Sequence, residues 1–138
     1  MLRIGNVLYP EVFIGKYIRT HWDFEHDLQK ILERSGHKSD FWGKYKQRLR
    51  FLDERRKNCI QKHDWFERLK GTGDLYAIKF KDEKNIRILF AFIEYENIEY
   101  VLLLYPFEEK DRRGKSRTSY GTGIPIALER LQEVLTDD

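Results

Sequence analysis

Three apolar runs in the middle of the chain, residues 75–81, 86–93 and 99–105, are separated by short polar breaks. Each run is rich in Ile, Leu, Val, Phe and Tyr, and such runs bounded by polar residues are typical of consecutive β-strands. Because successive side chains of a strand point to opposite faces, each run divides into two sets of residues. The pattern predicts a three-stranded antiparallel meander.

The two faces of this predicted meander differ in their chemistry. The face opposite to that of Ile78 and Ile88 carries three cations, Lys79, Lys81 and Arg87. The apolar set is expected to face a core, and it comprises Tyr76, Ile78, Phe80, Ile86, Ile88, Phe90 and Phe92. We expect the cations to lie together on an open sheet face, which would suit a phosphate-bearing ligand.

Apolar residues recur at helical spacing on both sides of the meander. A capping segment at Thr20–Asp23 predicts a first helix that ends near Ser35, where a glycine follows. A second helix is predicted to begin at Ser39 or Asp40, and the two helices are expected to form a hairpin that packs on the sheet. Pro125 is expected to open a last helix, since proline is favoured at a first helical position.

The remaining segments complete the predicted order of elements. A strand is expected around Val12–Tyr17, a short helical turn over Asp64–Leu69, and a long polar loop after Phe107. Strand, two helices, three strands and a helix together predict an α+β architecture. The 138 residues fit one domain, residues 1–138.

Positive charge is distributed unevenly along the chain, although the net charge is only +3. Residues 44–70 contain ten Lys and Arg against four acids, and residues 110–117 contain five against one. The second predicted helix has a basic outer side that includes Lys44, Lys46, Arg48, Arg50, Arg55 and Arg56. Clustered cations indicate an anionic partner more strongly than the total charge does.

The cysteine and histidine content excludes several classes of protein. Cys59 is the only cysteine, so no intramolecular disulfide can form and a reducing cytoplasm is expected. The four histidines have no metal-ligand spacing, so we expect neither a metal nor another cofactor. There is no signal pattern and no apolar run long enough to cross a bilayer, so a cytoplasmic protein without a membrane partner is expected.

Four segments together resemble the HigB-type, phage-related branch of the RelE/ParE toxin superfamily. They are WFERLKGT at 65–72, LY at 75–76, IRILF at 86–90 and VLLLYPF at 101–107. The resemblance covers roughly residues 50–135 and implies a RelE-like fold, in which an N-terminal strand, a helical hairpin and a C-terminal helix accompany the meander. It implies the toxin of a type II toxin–antitoxin pair, a metal-independent mRNA endoribonuclease.

The resemblance also implies a mechanism and partners. The ribose 2′-OH would attack the adjacent phosphate and give a 2′,3′-cyclic phosphate, usually on translating ribosomes, and a small helix-turn-helix antitoxin would inhibit the toxin. Carried over residue by residue, the resemblance assigns catalysis to Arg87, Tyr105 and Lys79. It implies that Lys110 is an added phosphate contact and that Lys81 lies in a strand where relatives often carry basic residues. Lys70, Arg112 and Arg113 complete the set of residues expected to bind RNA.

The sequence departs from the family pattern at the expected base. Tyr105 stands where several relatives have histidine, and a free phenol titrates near ~10 unless neighbouring cations lower its pKa. A carboxylate of the pair Glu108-Glu109, which is usually basic in the family, is the alternative base. The segment that follows is longer than in relatives and is a candidate to hold Tyr120, with Arg112 and Arg113, over the sheet.

Other interpretations of the same residues stay open at this point. Arg87 would have only a structural role if it pairs with Glu94 or Glu99 on an exposed face, and Trp65 and Phe66 are expected to be core aromatics rather than base-stacking platforms. At the level of function, the alternative to the toxin is a non-catalytic module of the same fold that binds RNA or a protein. A gyrase-directed toxin of a sister branch ranks last.

Overall fold

The computed structural model describes residues 3–35, 38–80, 85–109 and 119–137. Within these ranges the chain is α+β, with three α-helices and a five-stranded mixed sheet. The elements in chain order are β1 (Ile18–Thr20), α1 (Phe24–Ser35), α2 (Lys38–Arg55), a 3₁₀ helix (Arg56–Gln61), β2 (Phe66–Arg68), β3 (Tyr76–Phe80), β4 (Ile86–Tyr95), β5 (Ile98–Glu108) and α3 (Ser119–Leu135).

The predicted meander is confirmed as β3, β4 and β5, which pair antiparallel in sequence order. Strands β4 and β5 are joined by Glu96 and Asn97, whose φ angles of 52° and 67° are both positive. Two such residues make the tight turn that matches the twist of a β-hairpin. At the two edges of the sheet β1 runs parallel to β5 and β2 pairs with β3, so the strand order is β1-β5-β4-β3-β2.

Three predicted element positions were wrong. The first strand is Ile18–Thr20 rather than a strand around Val12–Tyr17. The segment predicted as a helical turn forms β2, because the edge of β3 offers it backbone hydrogen-bond partners. The Lys79 N–H, for example, donates to the Trp65 carbonyl at 2.8 Å. Helix α3 begins at Ser119, so Pro125 lies in its interior and does not open it. The start of the helix could not be seen in the sequence, because the glycines before Pro125 disfavour a helix.

Helices cover both faces of the sheet, so the expected open face was wrong. Helices α1 and α2 pack on one face over the predicted apolar set, in a core that includes Phe24, Tyr45 and Phe80. Helix α3 packs on the other face, where Ala127 and Val134 are buried in a second core. The sheet residues of that core include Leu75, Ala77, Leu89, Ala91, Ile93, Leu102 and Leu104. None of the helices in the described ranges is long and apolar enough to cross a membrane.

Two polar pairs tie α3 to the first helix and the sheet. Nε2 of His21, which is fully buried, lies 2.8 Å from Oε1 of Glu133 on α3. Arg130 donates to the Leu104 carbonyl at 2.9 Å and forms an ion pair with Asp27 at 2.6 Å. These contacts fix the position of α3 over the sheet face that carries Arg87.

We expect His21 to make the stability of the fold dependent on pH. The Asp23 N–H donates to Nδ1 at 3.0 Å, so Nε2 carries the proton of a neutral imidazole. Burial lowers the pKa of His21 from its usual 6.5, although Glu133 acts in the opposite direction. Since the unfolded chain binds this proton at a higher pH than the folded chain, the free energy of unfolding should fall as the pH drops below 6.5.

This expectation can be checked by urea denaturation between pH 8 and pH 5. We expect the His21→Gln variant to lose part of the wild-type pH dependence, and the variant of an exposed histidine, His26→Gln, to keep it. NMR of the wild-type imidazole should show that His21 stays neutral below pH 6.5. Equal pH dependence in the wild type and His21→Gln would contradict this role.

Candidate active site

Arg87 lies on the sheet face that α3 covers, and three groups hold its guanidinium. Nε donates to the Tyr120 hydroxyl at 3.1 Å, Nη2 to Oε1 of Glu109 at 3.2 Å, and Nη1 to the Ile86 carbonyl at 3.2 Å. The side chain is 9% exposed. The alternative interpretation, a pairing of Arg87 with Glu94 or Glu99, is wrong, since the carboxylate that pairs with Arg87 belongs to Glu109.

Tyr120 is the phenol that meets Arg87. It lies in the first turn of α3, and its ring meets the ring of Phe107 edge-on, with the centroids 5.1 Å apart. Burial raises the pKa of Tyr120 to about 12, although Arg87 acts to lower it. The phenol is therefore protonated at neutral pH and can donate a proton but cannot serve as a base.

Glu109 provides the carboxylate of the site. It directly follows β5, and its N–H donates to the Asn85 carbonyl at 3.0 Å, which places its side chain next to the start of β4. Its side chain is 26% exposed, so the carboxylate can be reached from solvent. The neighbouring Glu108 instead pairs with Arg34 of α1 at 3.1 Å. The two adjacent acids therefore have different partners.

Tyr105 lies on the same face as Arg87 but makes no hydrogen bond with it. A β-bulge near Leu89 and Phe90 shifts the alternation of β5, so that Leu104 and Tyr105 both face the second core. The guanidinium of Arg130 lies 5.1 Å from the centroid of the Tyr105 ring. Burial raises the pKa of Tyr105, so the lowering that a base would need does not occur here.

Two of the predicted site lysines, Lys79 and Lys70, lie in the described ranges. Lys79 is directly opposite Arg87 in the register of β3 and β4, and it is half-buried. Lys70 is exposed and lines a cleft of about 520 Å³ together with Tyr120 and Ile124. The other predicted RNA contacts, Lys81, Lys110, Arg112 and Arg113, lie outside the described residues.

The sequence analysis was wrong about the position of Arg48 and made no prediction for Arg130. Arg48 was expected on the basic outer side of α2, but it is buried, with its guanidinium 4.6 Å from the Trp65 ring centroid and 4.9 Å from that of Phe80. The fixed position of Arg130 between Asp27 and the Tyr105 ring had no signal in the sequence. The expectation of core aromatics is confirmed, since Phe66 is buried and Trp65 packs against the same core.

Neither a metal site nor a similar protein identifies the chemistry of the cluster that Arg87, Glu109 and Tyr120 form. Within the described ranges no three His, Cys, Asp or Glu residues are grouped so that they could hold a metal ion. Comparison with known proteins found no matching family model, no matching curated protein and no matching solved structure. The function is therefore inferred from the residues of the chain itself.

Proposed function

We propose that this chain is the toxin of a type II toxin–antitoxin pair and cleaves mRNA on translating ribosomes without a metal ion. The order of strand, helical hairpin, meander and terminal helix agrees with the resemblance to the RelE/ParE superfamily. The observation that carries the proposal is the convergence of Arg87, Glu109 and Tyr120. These three residues supply the base, the acid and the fixed cation that attack by a 2′-OH requires.

The pKa shifts and contacts suggest a role for each residue. Glu109 accepts the proton of the attacking 2′-OH, because both tyrosines have raised pKa values and are protonated. Arg87 stabilises the charge that develops on the phosphoryl oxygens. Tyr120 donates its proton to the leaving 5′-oxygen, which gives a 2′,3′-cyclic phosphate and a 5′-hydroxyl.

Access of RNA to Arg87 requires a change at this cluster. Three of its N–H groups are occupied, and its side chain is 9% exposed. A phosphate oxygen would replace Oε1 of Glu109 or the Tyr120 hydroxyl, the two partners that lie toward solvent. A carboxylate released from Arg87 in this way is free to accept a proton.

The same burial of Arg87 favours the second candidate function. If Glu109 and Tyr120 are permanent structural partners, the chain is a non-catalytic module that binds RNA through other residues. The two functions differ in whether the purified protein cleaves RNA. They also differ in whether a change at Arg87 abolishes an activity or only lowers stability.

Induction of the protein in a bacterial host tests the proposal. We expect wild-type protein to arrest growth and Arg87→Ala to relieve the arrest, because loss of one charge-stabilising group typically costs about 100- to 1,000-fold in rate. The matched control is Arg68→Ala, which removes an exposed arginine that pairs with Asp74. Equal toxicity of wild-type and Arg87→Ala proteins, with Arg87→Ala shown to be folded by its thermal melt, would contradict catalysis at Arg87.

A further inference from the structure

The segment from residue 44 to residue 62, which covers most of α2 and the 3₁₀ helix, has a large excess of positive charge. Residues 44–62 contain eight Lys and Arg and two acids. Two of the eight cations do not contribute free charge to the surface, since Arg48 is buried and Lys57 pairs with Glu99. One of the two acids, Asp53, is occupied, because its carboxylate accepts the backbone N–H groups of Lys16 and Tyr17 at 3.0 and 2.7 Å. Asp53 keeps its negative charge but directs it at these N–H groups, and the segment retains an excess of cations over acids.

Aromatic rings lie beneath several of these cations. Nζ of Lys46 is 5.5 Å from the Trp42 ring centroid, and Nζ of Lys62 is 4.7 Å from that of Trp65. The guanidinium of Arg55 is 5.0 Å from the Phe51 ring, which meets the Trp65 ring edge-on. We call Lys46, Arg50, Arg55 and Lys62, with the rings beneath Lys46, Arg55 and Lys62, the cation–aromatic surface. Contacts of this kind hold the charged groups in place at the surface.

The cations of this surface differ from those next to the second core. Among the residues that the structure describes, no carboxylate pairs with Lys46, Arg50, Arg55 or Lys62. By contrast, Arg87 and Arg130, which lie next to the second core, both have carboxylate partners. Unpaired, exposed cations are the ones that can neutralise the phosphates of a ligand.

We propose that the cation–aromatic surface is a binding site for the phosphate backbone of RNA, separate from the cluster at Arg87. A membrane is the less suitable polyanion, because an interfacial helix needs an exposed apolar face. The apolar side of α2 is not exposed, because it packs into the core, where Phe41, Tyr45, Leu49 and Leu52 are fully buried. The inference shares its ligand with the proposed function but does not depend on cleavage.

The test measures the affinity of the full chain for a 2′-O-methyl RNA oligonucleotide as a function of salt. This probe lacks the attacking hydroxyl, so binding is measured even if the wild-type protein cleaves ordinary RNA. We expect the double variant Lys46→Gln, Arg50→Gln to reduce the slope of log Kd against log salt by about 1.4, since each phosphate contact on a single strand contributes about 0.7. Arg50 is exposed and Lys46 is half-buried, and glutamine can be accommodated at both positions, so the fold should be retained.

The matched control removes the same charge from another helix. Lys30→Gln with Arg34→Gln on α1 should leave the slope at its wild-type value. Equal loss of slope in both double variants, or no loss in the α2 variant, would overturn the proposal. Phosphatidylserine vesicles form a second arm, and binding to vesicles without binding to RNA would also overturn it. Lack of cleavage with normal RNA binding would instead count against the proposed function alone.

Discussion

The Glu109→Gln variant is expected to cleave RNA about 100 to 10,000 times more slowly than the wild type, the usual contribution of a general base. Glutamine keeps the size of the side chain and can still accept a hydrogen bond from Nη2 of Arg87 at the position that Oε1 occupies now. It cannot take up the proton of a 2′-OH. The loss should therefore appear in the single-turnover rate and leave the affinity for RNA almost unchanged.

The neighbouring acid offers a control for this expectation. Glu108 pairs with Arg34 of α1 and has no contact with Arg87, so Glu108→Gln removes the same charge one residue away. This variant should cleave RNA at close to the wild-type rate. Equal rates for Glu109→Gln and the wild type would remove Glu109 from the mechanism.

The Phe90→Ala variant is expected to lower the free energy of unfolding by about 3–5 kcal/mol, the usual cost of removing a buried aromatic ring. Phe90 is fully buried at the centre of β4. Its ring stacks on that of Tyr76 with the centroids 5.5 Å apart, and it meets the rings of Phe66 and Phe92 edge-on at 6.3 and 5.7 Å. Its removal leaves a cavity that three rigid rings cannot fill.

Urea denaturation measures this loss, and Phe92→Ala is the matched control. Phe92 lies on the same face of β4 but is only half-buried, so less apolar area is lost there and the surroundings can relax. Its cost should be clearly smaller than that of Phe90→Ala. Equal costs at the two positions would show that the core is not centred where the structure places it.

The meander and the first helix could be predicted because their signals are local. Alternation along β4 correctly separated Ile88 and Phe90 from Arg87, and the register of β3 and β4 keeps that separation. The end of α1 at Ser35 was also correct, since a glycine follows it. Each of these signals lies within a few residues of the element that it predicts.

The surroundings of Arg87 could not be predicted in the same way, because they are built from distant parts of the chain. Glu109 lies 22 residues and Tyr120 33 residues further along. One signal for the covered face was present, however. Leu89 and Ala91 follow Arg87 on the same side of β4, and a strand that is apolar on both sides is typical of a sheet covered on both faces.

Analysis of the RNA ends produced by the purified protein tests catalysis at Arg87 most directly. The protein is incubated with mRNA in a translating extract, and with RNA alone in EDTA, and the ends are identified. We expect 2′,3′-cyclic phosphate and 5′-hydroxyl ends with the wild-type protein, and neither with Arg87→Ala. Intact RNA with the folded wild-type protein under both conditions, or ends bearing a 5′-phosphate, would contradict it.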